Sequence, residues 1–296
     1  RIEASDPEEL TAEQLREGLR HGAVLIQGLR QLDEATFETV TDKLEVEYFV
    51  HGMSGRDIRS EDRTIQHVGY SRTDDLGLHF ERAYMPASPD IACFAYLDGP
   101  PFDGTTSLCD GALVLEQVGS EVARYLEEHR MQYFGRIDPP FLEKAFGTSE
   151  RAVVESMIPR MLAVELPEAK VDFAFVGPSL SYHYVTPMVA TPTYNRDERA
   201  FRSNILRDLW DQPRARWAKY FDGELPLPNK GLEDGSTVPE DVFFAIWQTA
   251  ERVRLEHAWS PGEVLLIDNK RVMHGRRGRR AGDLLSRFGW ARPSRG

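Results

Sequence analysis

Cysteine is scarce in this chain: Cys93 and Cys109 are the only two among 296 residues. Two thiols cannot build a disulfide framework, and these lack the close spacing of a zinc knuckle or a redox C-x-x-C. Buried thiols in a reducing cytoplasm are the expectation. No run of about 18 apolar residues is present, so no membrane-spanning helix is predicted. The opening Arg1–Glu9 has no apolar signal-peptide core, and the chain reads as soluble, unexported and cytoplasmic. Basic charge is also in deficit, with 36 Lys and Arg against 48 Asp and Glu for a formal net charge of −12. Nucleic-acid binding, which depends on basic surfaces that release counterions, is disfavoured. The exception is Arg271–Arg280, where Arg271, Arg276, Arg277, Arg279 and Arg280 surround His274. Such a run is ordinarily a solvated loop; the alternative is a patch that attracts an anionic or carrier-bound substrate.

What is present suits one globular unit: 41% hydrophobic and 10% aromatic residues supply a substantial core. Thr11 and Gln14 form a capping box before a helix, Ala23–Ile26 reads as a short strand, and Phe37, Val40 and Leu44 repeat helically after Asp33. From Val46 to Leu78 the periodicity is poor, and loops with short strands are expected. Ile91–Tyr96 is a continuous apolar run of strand length, followed by turn residues from Gly99 to Gly104. Helical spacing marks Leu113–Leu126, interrupted at Gly119-Ser120, and a second helix running from Ser149 towards Met161. Strand-like fragments occupy 167–202, and Val242–His257 is the strongest helix by its apolar stripe. Strands follow at Glu263–Asp268 and Ser286–Trp290. Without repeats or a convincing linker, 1–296 reads as a single domain, mainly β with helical insertions, on a sandwich or barrel core.

The chemistry begins at His79-Phe80-Glu81. On an extended segment, residues two apart project to one side, so an imidazole and a carboxylate can reach a common point while Phe80 faces away. A distant second histidine would complete the two-histidine, one-carboxylate facial triad, which leaves positions open on iron(II) for a co-substrate and dioxygen. His274 is best placed, after the strand 264–268 and the polar segment Asn269-Lys270-Arg271; His183, among aromatic residues in Ser181–Tyr184, is the competitor. Taken alone, His-x-Glu is a weak signal.

Three segments add to it: Leu78–Tyr84, the Gly99–Asp110 loop, and Trp259–Arg276. Through them the chain resembles the taurine dioxygenase and clavaminate synthase superfamily of iron(II)- and 2-oxoglutarate-dependent oxygenases. The resemblance implies a double-stranded β-helix (jelly-roll, cupin-like) core, with a mostly helical or irregular insertion around 111–260. It also implies metal ligation by His79, Glu81 and His274. Thr106, 27 residues after His79, matches the hydroxyl that binds 2-oxoglutarate, with Thr105 as the alternative if the loop register shifts by one. Arg287, 13 residues after His274, matches the guanidinium that holds the distal carboxylate, a task for which its fork geometry is suited. Segments 145–155 and 202–206 resemble the SyrP-like branch of natural-product hydroxylases, although Asp103-Gly104-Thr105 departs from that branch's Gly-Gly-Glu.

The implied reaction consumes 2-oxoglutarate and O2, releases succinate and carbon dioxide, and oxidises an unactivated C–H bond of a small amino-acid-like or secondary-metabolite substrate. That substrate is either free or carried on a protein. Hydroxylation is the default; desaturation, epoxidation and cyclisation share the same substrate radical. Glu81 argues against halogenation, because related halogenases carry a small residue there. Asp268 or Asn269 could orient a ligand from behind. Arg72, Tyr84, Arg136, His183 and Arg202 are the polar candidates for substrate contact. A zinc hydrolase or lyase using the same three ligands, or a non-catalytic cupin-like binding protein, are the rival readings. The sequence does not specify an oligomeric state.

Overall fold

Ile91–Tyr96 (β6) and Glu263–Asp268 (β15) are buried at every position because they lie side by side in the middle of a sheet covered on both faces. In the computed structural model, which describes residues 1–49, 64–67, 75–97, 104–162, 166, 168–207, 229–278 and 284–291, this sheet has seven strands. Its order is β1 (Ile2–Glu3), β2 (Ala23–Gln27), β15, β6, β17 (Leu284–Trp290) and β3 (Glu47–Phe49), with β4 (Gln66–His67) also beside β17. Alternation divides the side chains between two cores. Val24, Ile26, Cys93, Ala95, Val264, Leu266 and Leu285 pack outwards with Leu15 and Leu19 of α1 (Ala12–Arg20) and Phe37 and Val40 of α2 (Glu34–Asp42). The capping box at Thr11 and the Asp33 cap open these two helices as expected.

Phe94, Tyr96, Leu265, Ile267, Leu284 and Phe288 point the other way. They meet Val272 and Leu108 from a second sheet, ordered β14 (Leu255–His257), β7 (Thr105–Asp110), β16 (Val272–Arg277) and β5 (Leu76–His79). The strong helix predicted over 242–257 ends early, at Val253 (α7, Glu240–Val253), because Leu255–His257 pairs with Leu108, Ser107 and Thr106 of β7. Ladder hydrogen bonds override the local helical preference there.

The stretch 111–260 is more β-rich than the mostly helical or irregular insertion expected. It holds α3 (Gly111–Gln117), α4 (Ser120–Glu128), α5 (Pro139–Phe146) and α6 (Arg151–Leu162). It also holds a four-stranded antiparallel sheet ordered β13 (Asn229–Leu232), β8 (Arg130–Ile137), β10 (Ser179–Pro187) and β9 (Lys170–Val176). In β8 only Met131, Tyr133 and Ile137 are buried, so its hydropathy is diluted by a solvent-facing side and gives no continuous run. Two short strands, β11 (Val189–Ala190) and β12 (Ala200–Phe201), pair before a 3-10 turn at Asn204–Leu206.

Candidate metal centre

β5 and β16 run antiparallel with His79 directly opposite His274, and their rings stand 4.5 Å apart between centroids. Glu81 lies two residues past the end of β5. Its Oε2 is 3.9 Å from His79 Nε2 and 3.7 Å from His274 Nε2. One ligand atom from each of the three residues falls within 4.8 Å of the others, and they form the only such metal-ligand cluster among the described residues. His79 Nδ1 lies 2.9 Å from the Gly77 carbonyl oxygen and donates to it, which leaves Nε2 with its lone pair facing the cluster. Burial, then the neighbouring His274 and Arg207, push the His79 pKa down to about 3. The ring is therefore neutral and able to ligate near pH 7.

The expectation that 79–81 form one strand needs a correction. Strand pairing stops at His79, yet Phe80 and Glu81 are held as firmly as strand residues by two buried asparagines. The Phe80 N–H donates to Asn204 Oδ1 (2.7 Å) and Asn204 Nδ2 donates back to the Phe80 carbonyl (3.0 Å). In the same way the Glu81 N–H donates to Asn269 Oδ1 (2.8 Å), while Asn269 Nδ2 donates to the carbonyls of Glu81 (3.1 Å) and Pro89 (2.8 Å). These side-chain amides replace the missing ladder partners, and Phe80 turns into the core beside Phe201. Of the two residues expected to support the ligands, Asn269 does so. Asp268 instead accepts from the backbone of Tyr194 and Lys270, and burial raises its pKa to about 6.

Thr106 faces the inner core, where its hydroxyl accepts from Trp259 Nε1 at 2.8 Å. Thr105 faces the other way: its hydroxyl and that of Ser107 donate to Glu256. Of the two threonines, Thr106 shares the face of the histidines. Arg287 does not. It pairs with Cys93 in the β17–β6 ladder, so its side chain points to the outer core. There it donates to Thr64 Oγ1 (2.8 Å), Thr41 Oγ1 (2.7 Å) and Asp42 Oδ1 (2.6 Å) and lies 3.8 Å above the Tyr48 ring. Phe94, one residue from Cys93, is the side chain that reaches the metal cluster, 5.3 Å from the His274 ring. A sheet thus separates Arg287 from the triad, and the structure does not support it as the co-substrate clamp.

The substrate candidates scatter. Arg72 lies outside the described residues. Arg136 pairs with Asp138 at 2.8 Å on the insertion's sheet, and the His183 ring stacks on Phe134 at 4.3 Å on that sheet's solvent side. Arg202 is buried and donates to Ser88 and Thr186, a packing role. Only Tyr84, three residues after Glu81, is near the site; the Arg207 guanidinium sits 5.2 Å over its ring. Arg207, whose charge is felt at His79, leaves no mark in the sequence because the turn that delivers it packs on β5 only in three dimensions. Within the arginine run, Arg271 is committed to Asp110 and Glu198, and Arg277 to Glu251.

Two neutral imidazoles and a carboxylate on one side of a partly buried point suit iron(II) with open positions opposite. Among solved structures the chain resembles PvcB from Pseudomonas aeruginosa (16% identity, 97% of this chain and 82% of that one, TM-score 0.56). It also resembles a taurine dioxygenase from Burkholderia xenovorans (14%, 97% and 81%, TM-score 0.58) and an asparagine oxygenase (14%, 94% and 78%, TM-score 0.53). No curated protein sequence matches the chain. The sequence model of the taurine catabolism dioxygenase TauD, TfdA family matches residues 1–287. With its two histidines and one glutamate gathered at the meeting of two sheets, the chain belongs to that family of iron- and 2-oxoglutarate-dependent oxygenases.

Proposed function

We propose that this enzyme oxidises an unactivated C–H bond of a small amino-acid-like or secondary-metabolite substrate, by hydroxylation in the default case. The observation that carries the site is the convergence of His79, Glu81 and His274 from β5 and β16. On this reading the two main sheets form a double-stranded β-helix, 1–296 acts as one domain in the cytoplasm, and 111–260 is its insertion. Among the described residues no helix is long and apolar enough to cross a membrane. The SyrP-like branch, and with it a carrier-bound substrate, rests on segments 145–155 and 202–206 alone.

Iron(II), with 2-oxoglutarate and dioxygen, supplies the oxidising equivalents, which leave as succinate and carbon dioxide. The chain's own residues do the rest. His79, kept neutral, and His274 would hold the metal with Glu81, whose backbone Asn269 fixes from behind. Phe94, Phe288 and Trp259 keep the inner core dry, which confines reactive species to the bound substrate. Thr106 offers a hydroxyl to the co-substrate, and Arg207 over Tyr84 offers a cation to an acidic group of the substrate.

The zinc hydrolase and the non-catalytic binding protein fit family membership poorly. Anaerobic titration with Fe(II) and 2-oxoglutarate separates all three readings. A metal-to-ligand charge-transfer band in the visible, lost in His274→Ala, is expected; a wild-type protein that binds the metal but develops no band with 2-oxoglutarate would reject the assignment.

A further inference from the structure

A 2-oxo dicarboxylate needs a cation for its distal carboxylate, and Arg287 is on the wrong face of its sheet to be that cation. We infer that Arg276, opposite Thr106 on the second sheet, takes this role. The inference rests on the proposed function, since it concerns the co-substrate of that site.

The ladder between β16 and β7 runs without a register shift from Val272↔Asp110 to Arg277↔Thr105. Side chains along β16 therefore alternate regularly with respect to β7. The inner face is marked by Val272 in the inner core and by His274 in the metal cluster; the outer face by Met273 in the core beneath α7 and by Arg277 on Glu251 of α7. Parity puts Arg276 on the inner face. Its register partner is Thr106, whose hydroxyl points to the same side, at Trp259. Directly paired residues carry their Cβ atoms about 5 Å apart, so one carboxylate can accept from both the guanidinium and the hydroxyl. His274 precedes Arg276 by two residues, roughly 7 Å along the strand. That separation suits a five-carbon diacid whose oxo-acid end faces the metal while its far carboxylate meets Arg276 and Thr106. The half-buried setting strengthens a charge-assisted pair relative to open solvent.

The arrangement would make Arg276 a co-substrate-binding residue supplied by the strand that also carries the distal histidine. Selection against monocarboxylic 2-oxo acids would then reside on β16 and β7, not on β17.

The test is equilibrium binding to the Fe(II)-loaded protein under anaerobic conditions, read by calorimetry and by the charge-transfer band. The probes are 2-oxoglutarate and 2-oxopentanoate, which keeps the chelating end and lacks the distal carboxylate. Wild type is expected to prefer 2-oxoglutarate. Arg276→Gln should lower 2-oxoglutarate affinity by about 30-fold or more, leave 2-oxopentanoate unchanged, and so abolish the preference. Arg276→Lys, which retains charge without the fork, should recover part of it and serves if the glutamine variant does not fold. Arg287→Gln should leave the preference intact. An unaltered preference in Arg276→Gln, or its loss in Arg287→Gln alone, overturns the assignment of Arg276. A wild type that binds neither acid overturns the functional reading itself.

Discussion

On its outer face the seven-stranded sheet meets two amphipathic helices; on its inner face the same strands meet a second sheet and the metal ligands. Outside, Arg287 sits among Thr41, Asp42, Thr64 and Tyr48. It holds α2 and β3 against β17. Inside, the polar groups aim at a common region: His274 beside Phe94, and Thr106 beside Trp259. An arginine engaged by several groups of the outer core serves structure, whereas one on the face that carries the metal ligands can serve a ligand. The parity of one residue along a strand decides between the two.

Substitutions on the two faces should therefore separate binding from stability. The largest effect is expected for His274→Ala: loss of Fe(II) affinity exceeding the roughly 10–100-fold typical of an outer partner, with little change in the unfolding midpoint of the metal-free protein. Calorimetric metal titration beside denaturant unfolding would measure both. Asn269→Ala should affect both quantities, because it leaves the Glu81 and Pro89 backbone groups unpaired: about 2–3 kcal/mol of stability and at least tenfold in iron affinity. Retained iron affinity in a destabilised variant would show that Glu81 does not depend on that pin. Arg287→Met should cost about 2 kcal/mol in urea unfolding while 2-oxoglutarate affinity stays within twofold; the figure is held down because its acidic partners Asp42 and Glu38 are themselves exposed. Arg207→Gln is expected to raise KM for an acidic substrate by about tenfold with kcat little changed. On the insertion's sheet, His183→Ala should shift stability by no more than about 0.5 kcal/mol and leave turnover alone.

The central strands are legible in the sequence because β6 is apolar on both faces, and the histidines because the motifs around them are dense. Arg287 misleads for a definite reason: the 13 residues separating it from His274 include the turn after β16, and strand parity cannot be counted through a turn. Within an unbroken strand it can, which is why Thr106 and Thr105 separate cleanly once β7 is seen. Asn204 and Arg207 leave no local signal, since their partners, Phe80 and Tyr84, lie more than a hundred residues away. Asn269 is suggested by its place after β15, but its double hold on Glu81 follows only from the approach of two loops. β8 escapes a sequence reading because one solvated face dilutes its pattern.

The bond between Asn269 and Glu81 joins residues 188 apart in the chain. Contacts of such long range form late, after the entropy of closing a large loop has been met. A nascent chain that has produced His79 and Glu81 therefore lacks both the distal histidine and the amide that orients the carboxylate. Tight iron capture should report completed folding of the whole sandwich, and excess Fe(II) should slow global unfolding by mass action on the native state alone.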